Sequence, residues 1–202
     1  MSYESRSFRL RVTGRLLPVA LGVSLAAASP LAGLATQGTT VSTMDASAID
    51  AALKATAAPK TAALAKQAPP KLLVADMSLA ICDGTPKTFC LDSALKTLSV
   101  VIARSSPSPW SAELADAVKS RNAGKQSLAR LRLSAATIVP PETTSSVKEG
   151  RALVRVSLPG YVADRAVVIL QLSYGASTIW AVLLQRNGET WRVVDQHQLG
   201  QS

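Results

Sequence analysis

Apolar residues in the last third of the chain fall into four short runs, residues 152–158, 165–174, 178–186 and 189–196. Runs of this length, rich in Val, Ile, Leu and Trp and bounded by turn formers, predict β-strands. The links between them are short: Pro159-Gly160 onward, Gly175-Ala176 and Asn187-Gly188. Short links force antiparallel neighbours, so the four strands are expected as a meander. Asn187-Gly188 is the strongest local signal, because both residues tolerate positive φ and suit a type I′ hairpin. A two-residue loop there sets Arg186 opposite Glu189, Leu184 opposite Trp191 and Val182 opposite Val193. Trp180, Val182, Leu184, Trp191 and Val193 then share one face, the expected core. Ile179, Ala181, Leu183 and Val194 point the other way, and the run AVVILQL is apolar on both sides. A sheet with one wet face alternates more cleanly. A cover for the second face is therefore expected from residues 72–81, another helix or a partner subunit.

Upstream the period changes. Leu91, Ala94, Leu95, Leu98, Val101 and Ile102 recur at helical spacing. Ser108 followed by Pro109 predicts the N-cap and first position of a second helix, with Trp110, Leu114, Ala117 and Val118 on one face and Asn122 and Gly124 at its end. Ser47 and Asp50, in Ser-x-x-Asp form, predict the start of a short helix over 48–54 that Pro59 stops. Residues 55–70 are almost all Ala, Pro, Lys and Thr and read as a linker or frayed helix. Residues 72–81 predict a strand with an irregularity near Asp76. The expected architecture is α+β: a C-terminal four-stranded antiparallel meander packed by two or three upstream helices. It occupies one domain over residues 72–202, behind a helix and linker over 36–71.

The first 35 residues have a different character. Residues 1–15 are polar and basic, residues 16–28 are an uncharged apolar run, and small residues follow as far as Ala35. This three-part layout predicts a cleaved secretory signal over 1–35, with Ala28 as a second possible cleavage point. No cysteine lies near the cleavage region and the arginines are not paired, so neither a lipid anchor nor the twin-arginine route is indicated. No later stretch is long enough to span a membrane, and a periplasmic or secreted product is expected.

Export changes the reading of the cysteines. Cys82 and Cys90 are the only two. In an oxidising compartment they are expected as a disulfide, worth roughly 2–3 kcal/mol for so short a loop. Their seven-residue separation is far from the Cys-x-x-Cys spacing of redox sites. Two cysteines and the distant His197 do not make a zinc ligand set, and no metal or cofactor is expected.

The chain has a net charge of +9, and removal of the signal leaves about +6. Basic residues are dispersed among acidic ones, so nucleic-acid binding is not expected. The densest basic group is Lys119, Arg121, Lys125, Arg130 and Arg132, a candidate contact for an anionic envelope polymer or lipid head group, or else a solvated helix end and loop; an envelope protein is the other partner expected of the domain. Ser93 and Lys96 match a Ser-x-x-Lys pattern but lack its companion Ser-Asp-Asn and Lys-Thr-Gly elements. His197 with Asp195 or Asp164 lacks a Gly-x-Ser-x-Gly elbow. No catalytic residue is assigned.

The closing segment, Val156-Ser157-Leu158-Pro159-Gly160-Tyr161 through Asn187-Gly188-Glu189-Thr190-Trp191-Arg192-Val193-Val194, resembles that of uncharacterised secreted and periplasmic bacterial proteins. These carry a Ser-x-Pro-Gly-aromatic turn and a Gly-x-x-Trp-x-Val hairpin. They share no common activity, so the resemblance implies a closing antiparallel sheet and no site residues. The function expected is a non-catalytic periplasmic or secreted interaction domain; the alternative is a small cell-envelope hydrolase.

Overall fold

In the computed structural model, which describes residues 41–57, 71–81, 90–104, 108–140, 151–174 and 176–201, helices and strands are intermixed along the chain. Helix α1 (Thr43–Ala57) leads to β1 (Lys71–Ala75), then α2 (Leu91–Arg104), α3 (Ala112–Arg121) and β2 (Thr137–Val139). The last five elements are β3 (Arg151–Val156), β4 (Gly160–Val162), β5 (Arg165–Tyr174), β6 (Ala176–Asn187) and β7 (Thr190–Gln201). The α+β class stands. The sheet, however, has seven strands in the order β2-β1-β3-β5-β6-β7, with β4 also paired to β5. Four strands were expected, and the excess is β1, β2 and the short β4, which pairs antiparallel with β5 across a tight turn. Strand β1 pairs in parallel with both β2 and β3, which makes the sheet mixed. Parallel partners are joined by long crossovers and leave no hairpin signal in the sequence. The signal segment over 1–35, most of the linker, Cys82 and the loop over 142–150 lie outside the described residues.

Both faces of the sheet are covered by the chain itself. On one face Ile49 and Leu53 of α1 pack with Leu128 against Val154, Val168, Leu170, Val182 and Leu184. On the other, Leu91, Leu95 and Leu98 of α2, Leu114 and Val118 of α3, and Trp110 pack against Val167, Ile169, Ala181 and Leu183. The apolar second face is therefore a helix contact. The first part of residues 72–81 is β1, in the plane of the sheet, and beyond it Leu79 joins the buried cluster on this second face. Leu72, Leu73, Val74 and Ala75 are all buried, as a central strand requires. Fully burying a single Leu or Ile, such as Ile49 or Leu98, contributes about 1.5–3 kcal/mol.

Two helix starts differ from expectation. Helix α1 begins at Thr43, and Ser47 and Asp50 lie inside it. The operative capping box is Ser42 with Asp45: the Asp45 amide donates to Ser42 Oγ at 3.2 Å, and the Ser42 amide donates to Asp45 Oδ2 at 2.8 Å. Helix α3 starts one turn later than Ser108 predicts, because Ser111 is its N-cap and accepts from the Leu114 amide. Ser108 Oγ accepts from the Trp110 amide instead, which turns the Trp110 ring into the core.

The closing hairpin is also displaced. Its loop is Gly188-Glu189, with Gly188 at φ +62°, and Asn187 pairs with Thr190. Leu184 therefore faces Val193 and not Trp191. A shift of two residues preserves which side chains share a face. Trp180, Val182, Leu184, Trp191 and Val193 accordingly do lie together on the α1 side. Further along, the register slips between Leu183 and Leu184: Leu184 pairs with Val193 and Leu183 with Asp195. Val194 is the extra residue of a β-bulge and is 41% exposed, so it does not join the buried second face as expected.

Candidate functional site

The densest polar arrangement joins the start of α1, the end of α3 and strand β4. Asp45 is fully buried. Its Oδ1 accepts from Arg121 at 2.7 Å and from the Tyr161 hydroxyl at 2.8 Å, and its Oδ2 accepts from Arg121 at 3.2 Å and from Ser42. The Arg121 guanidinium also donates to the Pro159 carbonyl and lies 5.1 Å from the Tyr161 ring centre. Tyr161 in turn tilts against Trp191 at 5.6 Å between ring centres. Burial alone would raise the Asp45 pKa. The bonds from Arg121, Ser42 and Tyr161 and the Arg121 charge outweigh it and hold the carboxyl below the ordinary range. Burial, then the adjacent Asp45 charge, pushes the Tyr161 hydroxyl well above its ordinary value. Both groups are locked in one protonation state at neutral pH. They form a clamp and not an acid–base pair.

The Ser-x-Pro-Gly-aromatic turn is part of the same construction. Ser157 Oγ accepts from the Ile169 amide, filling a gap in the ladder where β3 gives way to β4. Asn122, fully buried at the end of α3, donates to the Leu158 carbonyl at 2.9 Å and accepts from the Leu158 amide at 2.7 Å. Gly160 sits directly against the backbone of Ala117 and Val118. Each position of the turn thus has a packing role.

A second polar group sits beyond the β-bulge. The extra residue Val194 turns Asp195 and His197 toward the α2/α3 side, opposite Leu183 and Ala181. There Trp110 Nε1 donates to Asp195 Oδ2 at 2.7 Å, His197 Nε2 lies 3.5 Å from the same oxygen, and the Trp110 and His197 rings are 5.6 Å apart. Asp195 is thus the acid beside His197, whereas Asp164 accepts from Gln185. His197 belongs to a paired strand that runs to Gln201, not to a frayed tail.

The five basic candidates divide. Arg121 turns inward to Asp45 and is not available to a partner. Lys119, Lys125, Arg130 and Arg132 are exposed, and none has a carboxylate within 4.0 Å among the described residues. Ser93 and Lys96 are both exposed on α2, where the Ser93 carbonyl accepts from Thr97. Cys90 immediately precedes α2, and no described cysteine is a free thiol. A small apolar crevice lies between the end of α1 and the sheet, lined by Leu53, Ala57, Leu72, Val154, Leu170 and Leu172 with Thr56. The Thr56 hydroxyl is bonded to the Ala52 carbonyl, so it offers a ligand little polar purchase. No group of three metal-ligating side chains converges among the described residues. Among them, no helix is long and apolar enough to cross a membrane.

Sequence reasoning singled out Arg121 and Tyr161 without their partner Asp45. The Ser42-x-x-Asp45 spacing ahead of Ile49 was the available signal. Nothing local announced the bulge that brings Asp195 and His197 to Trp110. No family model, curated protein or solved structure matches the chain.

Proposed function

We propose that the chain is an exported, non-catalytic interaction domain of the periplasm or extracellular space, released from a signal over 1–35 and stapled by a Cys82–Cys90 disulfide. One observation carries the reading. The buried Asp45 and the half-buried Arg121 and Tyr161 are bound to one another, whereas Lys119, Lys125, Arg130 and Arg132 stand on the surface without acidic partners among the described residues. Charge is thus arranged to hold the fold inside and to meet a partner outside. The likeness of the closing segment to secreted and periplasmic bacterial proteins belongs to the same reading.

The test is fractionation of cells producing the full chain with a C-terminal tag. The expected result is a shortened product outside the cytoplasm, associated with washed envelopes, whose thiols alkylate only after reduction. A full-length cytoplasmic product with reactive thiols, or an exported one that never associates with envelopes, would overturn the reading.

The Asp195–His197 pair favours a second reading, a small envelope hydrolase. His197→Ala separates the two. An interaction domain keeps its envelope association, and its unfolding free energy stays within about 0.5 kcal/mol of wild type, as surface substitutions do. A hydrolase loses at least a hundredfold in turnover of envelope substrates.

A further inference from the structure

We infer that the stretch from Lys119 to Arg132 is a docking surface for a hydrophilic linear polyanion. The inference rests on the interaction-domain reading and names its partner.

The segment starts on the last turn of α3 and is irregular beyond Arg121, yet it is firmly held. The Ile81 amide donates to the Asn122 carbonyl, the Ser78 amide to the Gln126 carbonyl, and the Gln126 amide to Ser78 Oγ. The Leu128 amide donates to the Asp76 carbonyl, and the Leu128 side chain is fully buried. Beyond it, the Ser134 and Ala135 amides and the Ser134 hydroxyl all donate to Asp50 of α1. A coil tied at both ends presents its side chains from a fixed frame, which lowers the entropy lost on binding.

The nearby acids do not neutralise it. Asp45 is bound to Arg121, and Asp50 is bound to Ser134 and Ala135. Asp116, three residues before Lys119 on α3, forms no ion pair with it. Four cations remain open to solvent.

The type of polyanion follows from what accompanies these cations. Leu131 and Leu133 alternate with Arg130 and Arg132 but pack against the core under α1. Among the described residues, the exposed large apolar side chains, Met44, Val100 and Val194, lie outside this stretch of the sequence. Residues 119–132 therefore offer no exposed apolar wedge of their own to insert into a bilayer, as interfacial binding requires. Residues 119–132 contain no aromatic side chain on which a base could stack. Charge without apolar or aromatic contacts suits a polymer whose anionic groups repeat along a hydrophilic backbone.

The test uses the full chain on immobilised heparin as the polyanion probe, with phosphatidylglycerol–phosphatidylcholine vesicles alongside. A patch variant carries Lys119→Gln, Lys125→Gln, Arg130→Gln and Arg132→Gln. A control variant removes equal charge from other exposed sites through Lys71→Gln, Lys96→Gln, Arg104→Gln and Arg192→Gln. With four contacts, wild-type affinity for heparin should fall about a hundredfold between roughly 50 and 200 mM salt, by the counterion-release rule. The patch variant should elute at much lower salt and lose most of that dependence, with the control variant close to wild type. Equal loss in both variants would reduce the effect to net charge and overturn the inference. So would failure of wild type to be retained at low salt, or binding to vesicles without retention on heparin. Envelope association that persists in the patch variant sinks this inference alone; its absence in wild type sinks the reading beneath it.

Discussion

Gly160→Ala is expected to destabilise the domain by about 3–4 kcal/mol, the upper end of what overpacking and lost buried hydrogen bonds produce. A Cβ at this position overlaps the Val118 amide nitrogen and comes within 2.8 Å of the Ala117 carbonyl carbon. Both are backbone atoms inside α3, so no side-chain rotation relieves the contact. Helix α3 would have to lift away from β4. That movement would stretch the paired bonds between Asn122 and Leu158 and the bond from Arg121 to the Pro159 carbonyl. Urea unfolding gives the measurement, and Gly124→Ala supplies the comparison. A Cβ on Gly124 meets nothing within 4 Å, and its effect should stay within about 0.5 kcal/mol. If the two variants unfold at the same urea concentration, close approach at Gly160 is not what holds α3 against the sheet.

The Asp45 clamp should show the other large effect. Asp45→Ala leaves the Arg121 guanidinium, the Tyr161 hydroxyl and the Ser42 amide without their shared acceptor. Breaking a buried pair from one side costs about 3–5 kcal/mol, because the remaining charge is uncompensated. The double variant Asp45→Ala/Arg121→Met should lose clearly less than the sum of the single losses, since it strands no ion. Strict additivity in that cycle would mean the two side chains do not act together.

The same clamp sets an acid limit. The folded-state pKa of Asp45 lies below its ordinary value, as does that of Asp50, whose burial is outweighed by bonds from Ser134 and Ala135 and by the Lys54 charge. Groups of this kind contribute stability that is present above the unfolded aspartate value of about 3.9. That contribution is lost as pH falls through the lower folded value. The urea midpoint should therefore drop as the solution is acidified below about pH 4. In Asp45→Ala the drop should be shallower, and an unchanged acid limb would assign it to other carboxylates.

The helical stripe from Leu91 to Leu98 and the long strand Arg165–Tyr174 were legible because period and turn chemistry are properties of consecutive residues. So was the set of side chains sharing a face around Trp180 and Trp191, which survived a hairpin shifted by two residues because strand periodicity is itself two. The basic stretch from Lys119 to Arg132 was visible as well, though not the inward turn of Arg121. Which Ser-x-x-Asp pair capped α1 was not decidable locally. Two such pairs stand five residues apart, and only the one whose carboxylate reaches Arg121 and Tyr161 starts the helix.

By itself, then, the sequence determined the α+β class, the strand-rich C-terminal third and a sheet apolar on both faces, all consequences of patterns spaced a few residues apart. Tertiary structure alone decided the parallel addition of β1 and β2, the helices on each face, and the meeting of residues 45, 121 and 161. It also decided the bulge at Val194 that turns Asp195 toward Trp110. These rest on contacts between distant segments, where the energy depends on shape and burial after the chain has folded and leaves no period behind.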